Sequence, residues 1–301
     1  MKKNLIIIQG TTASGKTSLA IDLAKHFSCA IVSADARQFY KEMSIGTAKP
    51  SPLELNAAKH FLIDSHSIHE DFTVAQYEQV ASALLKELFI QTDHVVLVGG
   101  SGLFIDALIY GLDDLPTDKA VQDKLQETLV DQGLPYLLEQ LKIADPICYE
   151  TVDKGNSRRV LRALEVIELT GEKYSSLKTG QRKMNDFNTF RFTIEWQRDL
   201  LYKRIEDRVE LMLQAGLLDE AKELYRFKEL KALNTVGYAE LFDFFDGLIS
   251  YEKAIELIKQ HTRNYAKRQL TWLRRYDDLV ALDPYSEISL LDQVLNSLKK
   301  L

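Results

Sequence analysis

Gly10-Thr11-Thr12-Ala13-Ser14-Gly15-Lys16-Thr17 is a complete GxxxxGK[ST] segment, placed directly after the apolar run Leu5–Ile8 and directly before an amphipathic stretch, Ser18–Phe27. Strand, glycine-rich turn and helix in that order make a phosphate-binding loop. Its backbone N–H groups curl round an anion, Lys16 adds a point charge, and the Thr17 hydroxyl is a candidate Mg²⁺ ligand. All eight residues are therefore candidate diphosphate-binding positions. Taken alone, the loop leaves open whether the phosphates belong to ATP or to another diphosphate.

The surrounding pattern agrees with an α/β fold. Short apolar runs at Leu5–Ile8, Ala30–Ser33 and Val95–Val98 alternate with helical stretches at Ser18–Phe27 and Val74–Phe89, which predicts a parallel P-loop sheet flanked by helices. From about Leu115 the pattern becomes purely helical, through Lys119–Val130, Leu134–Lys142 and Ser157–Leu169. Residues 189–196 then alternate as a strand should. The expected organisation is a core domain of residues 1–114 with 188–301, interrupted by an all-helical insertion at 115–187. Helices are expected at Leu200–Gln214, Leu217–Phe227 and Glu252–Arg275, then a strand at Leu279–Leu282 and a helix ending near Leu301.

Composition removes several function classes. The formal charge is −6, from 38 basic and 44 acidic residues, so indiscriminate binding to nucleic acid or anionic lipid is not expected, although a local basic face is compatible with it. The apolar run after Lys2-Lys3-Asn4 is too short for a signal sequence and reads as a buried strand. No run approaches the ~18 apolar residues of a membrane span. Cys29 and Cys148 stand far apart and in no metal-ligand pattern, which points to a reducing cytoplasm and away from disulfides or zinc.

Two further segments bear on chemistry. Asp35 lies just beyond the end of the second strand, where open α/β sheets bind ligands, so it is expected to face the phosphate loop as a proton acceptor; a turn cap is the competing reading. The third strand runs into Gly99-Gly100-Ser101-Gly102, where a P-loop ATPase usually carries an acidic residue. Close backbone approach to a ligand, with the Ser101 hydroxyl at hand, explains the glycines; a plain tight turn is the alternative. His60 in His60-Phe61-Leu62-Ile63-Asp64 reads as structural.

Taken together, GTTASGKT, SADARQFYKEMSIGTAKP, HFLID, VGGSGLFIDAL, RRVLRALEVIELTG, RIEDRVELMLQAGLLDE, NTVGYAEL and TRNYAKRQLTWLRR resemble the tRNA dimethylallyltransferase family, also called tRNA isopentenyltransferases or IPP transferases. The segments occur in family order from Ile6 to Asp283. The resemblance implies transfer of a dimethylallyl group from dimethylallyl diphosphate to N6 of the adenosine just 3′ of the tRNA anticodon, with Mg²⁺. It further implies that Asp35 is the general base and that Ser101 and Arg208 assist at the reacting centre. For Arg208, the residues alone allow a surface ion pair with Glu206 or Glu210.

Implied contacts to the anticodon stem-loop are Asp35, Ala36, Arg37, Gln38 and Ser101, then Arg158, Arg159, Val160, Leu161, Arg162 and Ala163 in the insertion, then Gly237 and Tyr238. A basic segment, Arg263, Lys267, Arg268, Gln269, Arg274 and Arg275, interleaved with Tyr265 and Trp272, adds to these; a solvated helix face is its plainer reading. Thr11 replaces a common proline, Ala36 a common serine, and Gln122 or Asp123 a basic residue, so an RNA contact is open there. With no zinc-finger pattern after the last helix, a bacterial, cytoplasmic, membrane-free monomer is expected. The competing functions are a small-molecule kinase using ATP and a non-catalytic RNA-binding protein.

Overall fold

The computed structural model describes residues 3–178, 180 and 183–299. Two compact units emerge, residues 1–109 with 184–301 and residues 110–183, where the periodicity placed the insertion at 115–187. The stretch 111–118 carries neither helix nor strand, so the pattern there does not mark the junction.

The larger unit is built on β1 (Lys3–Gln9), α1 (Lys16–Phe27), β2 (Ile31–Ser33), α2 (Pro52–Ala57), β3 (His60–Phe61), α3 (Val74–Gln91), β4 (His94–Gly99) and α4 (Gly102–Tyr110). The smaller unit holds α5 (Lys119–Ala144), α6 (Pro146–Thr151), α7 (Ser157–Thr170) and α8 (Tyr174–Leu177). The chain then returns to the larger unit as β5 (Phe187–Ile194), α9 (Arg198–Gln214), α10 (Leu217–Leu224), α11 (Tyr238–Phe245), α12 (Tyr251–Leu273), β6 (Leu279–Leu282) and α13 (Leu290–Leu298). The helix expected over 217–227 stops at Leu224 and tightens into a 3₁₀ turn at Tyr225–Phe227. No helix among the described residues is long and apolar enough to cross a membrane.

All six strands are parallel, in the order β3-β2-β4-β1-β5-β6. The fold class read from the sequence is thus the observed one. Parallel strands buried on both faces require continuous apolar runs, and Leu5, Ile6, Ile7 and Ile8 are all fully buried. Ile6 and Ile8 pack with Leu19, Leu23 and Val294, from α1 and α13. The strand order matters for the site, because β2, β4 and β1 lie side by side. Their carboxyl ends deliver the Asp35 turn, the glycine-rich loop and the phosphate loop to one edge of the sheet, where ligands of such sheets bind.

In the smaller unit, Leu125, Leu137, Leu141, Val160, Ala163 and Leu164 form an apolar centre. The long helix α5 is interrupted at Gly133, whose φ of 80° only glycine adopts readily, and Pro135 follows. The buried Glu165 accepts from Thr117 Oγ1, the Asp118 amide, Gln122 Nε2 and Arg162 Nη1 at 2.8, 3.1, 2.9 and 2.7 Å. Gln122 is thereby committed inside the unit, and Asp123 pairs with Lys119 on the surface.

Candidate active site

The phosphate loop is folded by contacts to its carbonyl edge. Ala13 and Gly15 take φ values of 62° and 95°, and the Thr11 carbonyl accepts from Ser14 Oγ at 2.9 Å and from the Lys16 ammonium. From outside the loop, Arg204 Nε donates to the Ala13 carbonyl at 2.8 Å and Trp196 Nε1 to the Ser14 carbonyl at 2.9 Å. The Arg204 guanidinium also stacks 4.2 Å from the Trp196 ring. With these carbonyls held by protein donors and the Thr12 amide on Gln269, the anion-binding side of the turn falls to the amides that follow Thr12.

Lys16, Thr17, Asp35, Ser101 and Arg208 line one cavity of about 820 Å³. Asp35 Oδ1 accepts from the Arg37 amide at 3.0 Å, so the capping role is real, and it leaves the rest of the carboxylate to the cavity. Ser101 Oγ accepts from the Ala36 amide at 3.0 Å, joining the β2 and β4 loops. Arg208 is not the surface ion pair its neighbours allowed. It is half-buried against the loop, with Nη1 on Thr12 Oγ1 at 3.3 Å and Nη2 on the Ala48 carbonyl at 3.4 Å. Burial lowers its affinity for a proton, and Asp35 opposes that shift. Lys16 is pushed down to about 8 by burial first and by Arg208 second, with Asp35 again opposing.

Several expected RNA contacts have other occupations. Tyr238 is fully buried, and its hydroxyl donates to Glu220 at 2.6 Å, so its side chain does not reach an external RNA. Its ring lies where a Cβ on Gly46 would sit, 2.5 Å away. Val160 and Ala163 are fully buried in the apolar centre of the helical unit, which removes their side chains from solvent; Arg158 and Arg159 remain exposed. Arg162 is turned onto Glu165 and the carbonyls of Leu115 and Pro116, and Leu161 packs against the same centre.

Arg37 donates to the Ala232 and Asn234 carbonyls, Gln38 to those of Thr47 and Ala48, and both also line the cavity with Ala36. Gly237 is buried with its amide on Glu240. On α12, Arg263 is paired with Glu206 at 2.6 Å, whereas Lys267, Arg268 and, just past the helix, Arg274 are exposed. Gln269 is buried between two loops.

Sequence reasoning missed Arg204, Trp196 and Glu220. Arg204 precedes Arg208 by four residues and so shares its helix face, a readable cue. The carboxylate of Glu220 receives the amides of Ser44, Ile45 and Gly46 at 3.0, 2.8 and 2.9 Å, a contact across about 175 residues with no local cue. His60, expected to be structural, joins the edge strand β3, bonds the Ala58 carbonyl through Nδ1 at 2.8 Å and also lines the cavity.

The glycine-rich loop is explained by approach of its neighbours. A Cβ at Gly99 would fall 2.2 Å from the Ala34 carbonyl, where both partners are backbone at the sheet edge. Gly99→Ala is therefore expected to destabilise by roughly 2–3 kcal/mol, seen as a Tm lower by about 5–10 °C. An unchanged melting curve would show that β4 yields without cost.

The family model described as IPP transferase matches residues 38–276. A tRNA dimethylallyltransferase from Christiangramia forsetii is 47% identical over 276 residues, covering 91% of each chain. The tRNA dimethylallyltransferase 1 of Bacteroides thetaiotaomicron is 40% identical over 96% of this chain and 94% of its own. Among solved structures, the full-length tRNA isopentenylpyrophosphate transferase from Bacillus halodurans superposes with a TM-score of 0.73 at 33% identity, covering 100% of this chain and 96% of that one. A eukaryotic dimethylallyltransferase acting on tRNA gives 0.78 at 26% identity, covering 93% and 74%.

Proposed function

Because the chain belongs to the IPP transferase family, we propose that its cavity joins dimethylallyl diphosphate to N6 of the adenosine just 3′ of the anticodon. Prenyl transfer to tRNA is the activity of the chain. The observation that carries the finer reading is the meeting of Lys16, Thr17 and Arg208 with Asp35 around one cavity, cations and a phosphate loop facing a carboxylate.

The chemistry follows from that pairing. The adenine amine is a weak nucleophile because its lone pair is delocalised into the ring. As the N6–C bond forms, Asp35 accepts the N6 proton, and the allylic C–O bond breaks with its electrons passing to diphosphate. Lys16, Arg208 and the loop amides stabilise the negative charge that gathers on the leaving group. Ser101, bonded to the Ala36 amide, holds the turn that carries Asp35. Thr17 is the residue that would hold Mg²⁺. Among the described residues no three or more His, Cys, Asp or Glu side chains are grouped so that they could hold a metal ion, and a shell completed by diphosphate oxygens and water is the ordinary habit of Mg²⁺. When bound, Mg²⁺ supplies charge neutralisation at the diphosphate.

Extruding a base into a cavity costs a few kcal/mol and requires a grip on the RNA backbone. The exposed Lys267, Arg268 and Arg274 supply it from the α12 region, and Arg158 and Arg159 from α7. Lys267→Ala with Arg268→Ala is expected to weaken tRNA binding and lower the slope of log affinity against log salt by about 1.5. An unchanged slope would mark that face as merely solvated. The free thiols Cys29 and Cys148 suit a cytoplasmic protein, which we take to act as a monomer.

The decisive experiment is nucleoside mass spectrometry of an unmodified tRNA transcript after incubation with the protein, Mg²⁺ and dimethylallyl diphosphate. A dimethylallyl adduct on the adenosine beside the anticodon is expected. No adduct on any tRNA with an adenosine there, from folded protein, would overturn the assignment of donor and acceptor.

A further inference from the structure

We propose that Gln269 is a positioning residue that clamps the phosphate loop to the glycine-rich loop carrying Ser101, and that it does not contact RNA. The residue borders the cavity but is only 7% exposed, and both polar ends of its side chain are taken up by the two loops. Its Oε1 accepts from the Thr12 amide at 3.0 Å, and its Nε2 donates to the Gly100 carbonyl at 3.0 Å. One acceptor and one donor on the same planar group are what an amide side chain offers; a carboxylate offers acceptors alone and a thioether almost neither. Gly100 is shaped to the same group, since a Cβ there would lie 2.2 Å from Gln269 Nε2.

The rest of the helix end holds the clamp in place. One turn beyond Gln269, the Trp272 indole donates to Asp106 Oδ2 at 3.1 Å, and Tyr276 donates to Asp106 Oδ1 at 2.6 Å, so α12 and the segment after it are tied to α4. The Trp272 ring also fills the space next to Gly102, where a Cβ would meet it at 2.3 Å. Ser101 thus stands between two glycines that are both packed against α12 side chains. Thr12, on the other side of the clamp, also receives Arg208 through its hydroxyl. The amide therefore sets the spacing between the loop that holds diphosphate and the serine that braces the Asp35 turn, a spacing on which transfer depends under the proposed function. Misplacement of about 1 Å at such a site costs on the order of 10²-fold in rate.

The test uses the full-length protein and three variants, Gln269→Met, Gly100→Ala and their combination. Gln269→Met keeps the length and removes both hydrogen bonds. It is expected to lower kcat by about 10- to 100-fold, weaken inorganic pyrophosphate binding about tenfold, and change the Kd of tRNA by less than about twofold, a retention that an RNA contact would not allow. Gly100→Ala displaces the amide from the other side and is expected to reproduce these effects. The combined variant is expected to be no worse than either, because both changes undo the same two-bond clamp.

A tRNA Kd raised tenfold or more with pyrophosphate binding intact would make Gln269 an RNA contact and overturn the proposal. So would unchanged kcat and pyrophosphate affinity, or an additive double variant. Pyrophosphate binding needs no transfer, so the clamp is judged even if the wild-type protein forms no dimethylallyl adduct, the result that would sink the functional reading instead.

Discussion

Asp35→Asn is expected to slow prenyl transfer by about 10²- to 10⁴-fold, the range ascribed to a positioned general base, while tRNA affinity and melting temperature stay close to those of the parent protein. The reason for choosing the amide lies in the turn. Asp35 Oδ1 accepts from the Arg37 amide at 3.0 Å, and an asparagine oxygen can do the same, so the backbone between β2 and Gln38 keeps its shape. What the amide cannot do is accept a proton from N6. Lys16 and Arg208 both sense the Asp35 charge, so its removal also alters the field around the diphosphate, and the rate should be read in a single turnover at saturating substrates. A loss of less than tenfold would show that the proton leaves by another acceptor, such as the departing diphosphate, and that Asp35 is a cap alone.

How much of this is legible in the sequence depends on how far apart the interacting residues lie. The phosphate loop is local, and its strand–turn–helix context sits within residues 3–27, so fold and loop could be read together. The position of Asp35 was also legible, because a carboxylate after the second strand of a parallel sheet has one edge to go to. The insertion was legible as a change of period, but not its first residues, since 111–118 carry no period.

The buried side of the insertion was legible in principle. Val160, Ala163, Leu164 and Ile167 follow helical spacing, and that spacing separates Val160 and Ala163 from the exposed arginines beside them. A family resemblance names a stretch and does not say which side chains of it point inward. Tyr238 offered no such cue, because Glu220 and Gly46, which enclose it, come from distant segments. Trp196 and Gln269 reach the loop across more than 180 residues, and no window of sequence contains both partners.

The second large effect is expected at Lys16, with opposite signs for stability and binding. Burial and Arg208 together push this lysine down to about 8 from its ordinary 10.5. A base whose folded value lies below its unfolded value penalises the native state wherever it is charged. That penalty is complete below about pH 8 and fades as pH rises from about 8 to 10.5, because the unfolded chain then holds the extra proton. Lys16→Met removes this half-buried charge, so the ligand-free variant is expected to melt higher than the parent at pH 7, and the gap should narrow toward pH 10.5.

Pyrophosphate affinity is expected to fall by at least about 30-fold in the same variant, the low end of what losing one buried charged partner costs. In the parent protein that affinity should decline above about pH 8 as Lys16 gives up its proton, with proton uptake on binding measurable by calorimetry in buffers of different ionisation enthalpy. The stored destabilisation and the binding energy thus have one source, a half-buried cation beside Arg208 that gains a full counter-charge only when a diphosphate arrives. A variant that melts no higher at pH 7, or a gap that does not move with pH, would mean that Lys16 is solvated in the free protein and that the loop gains nothing from its burial.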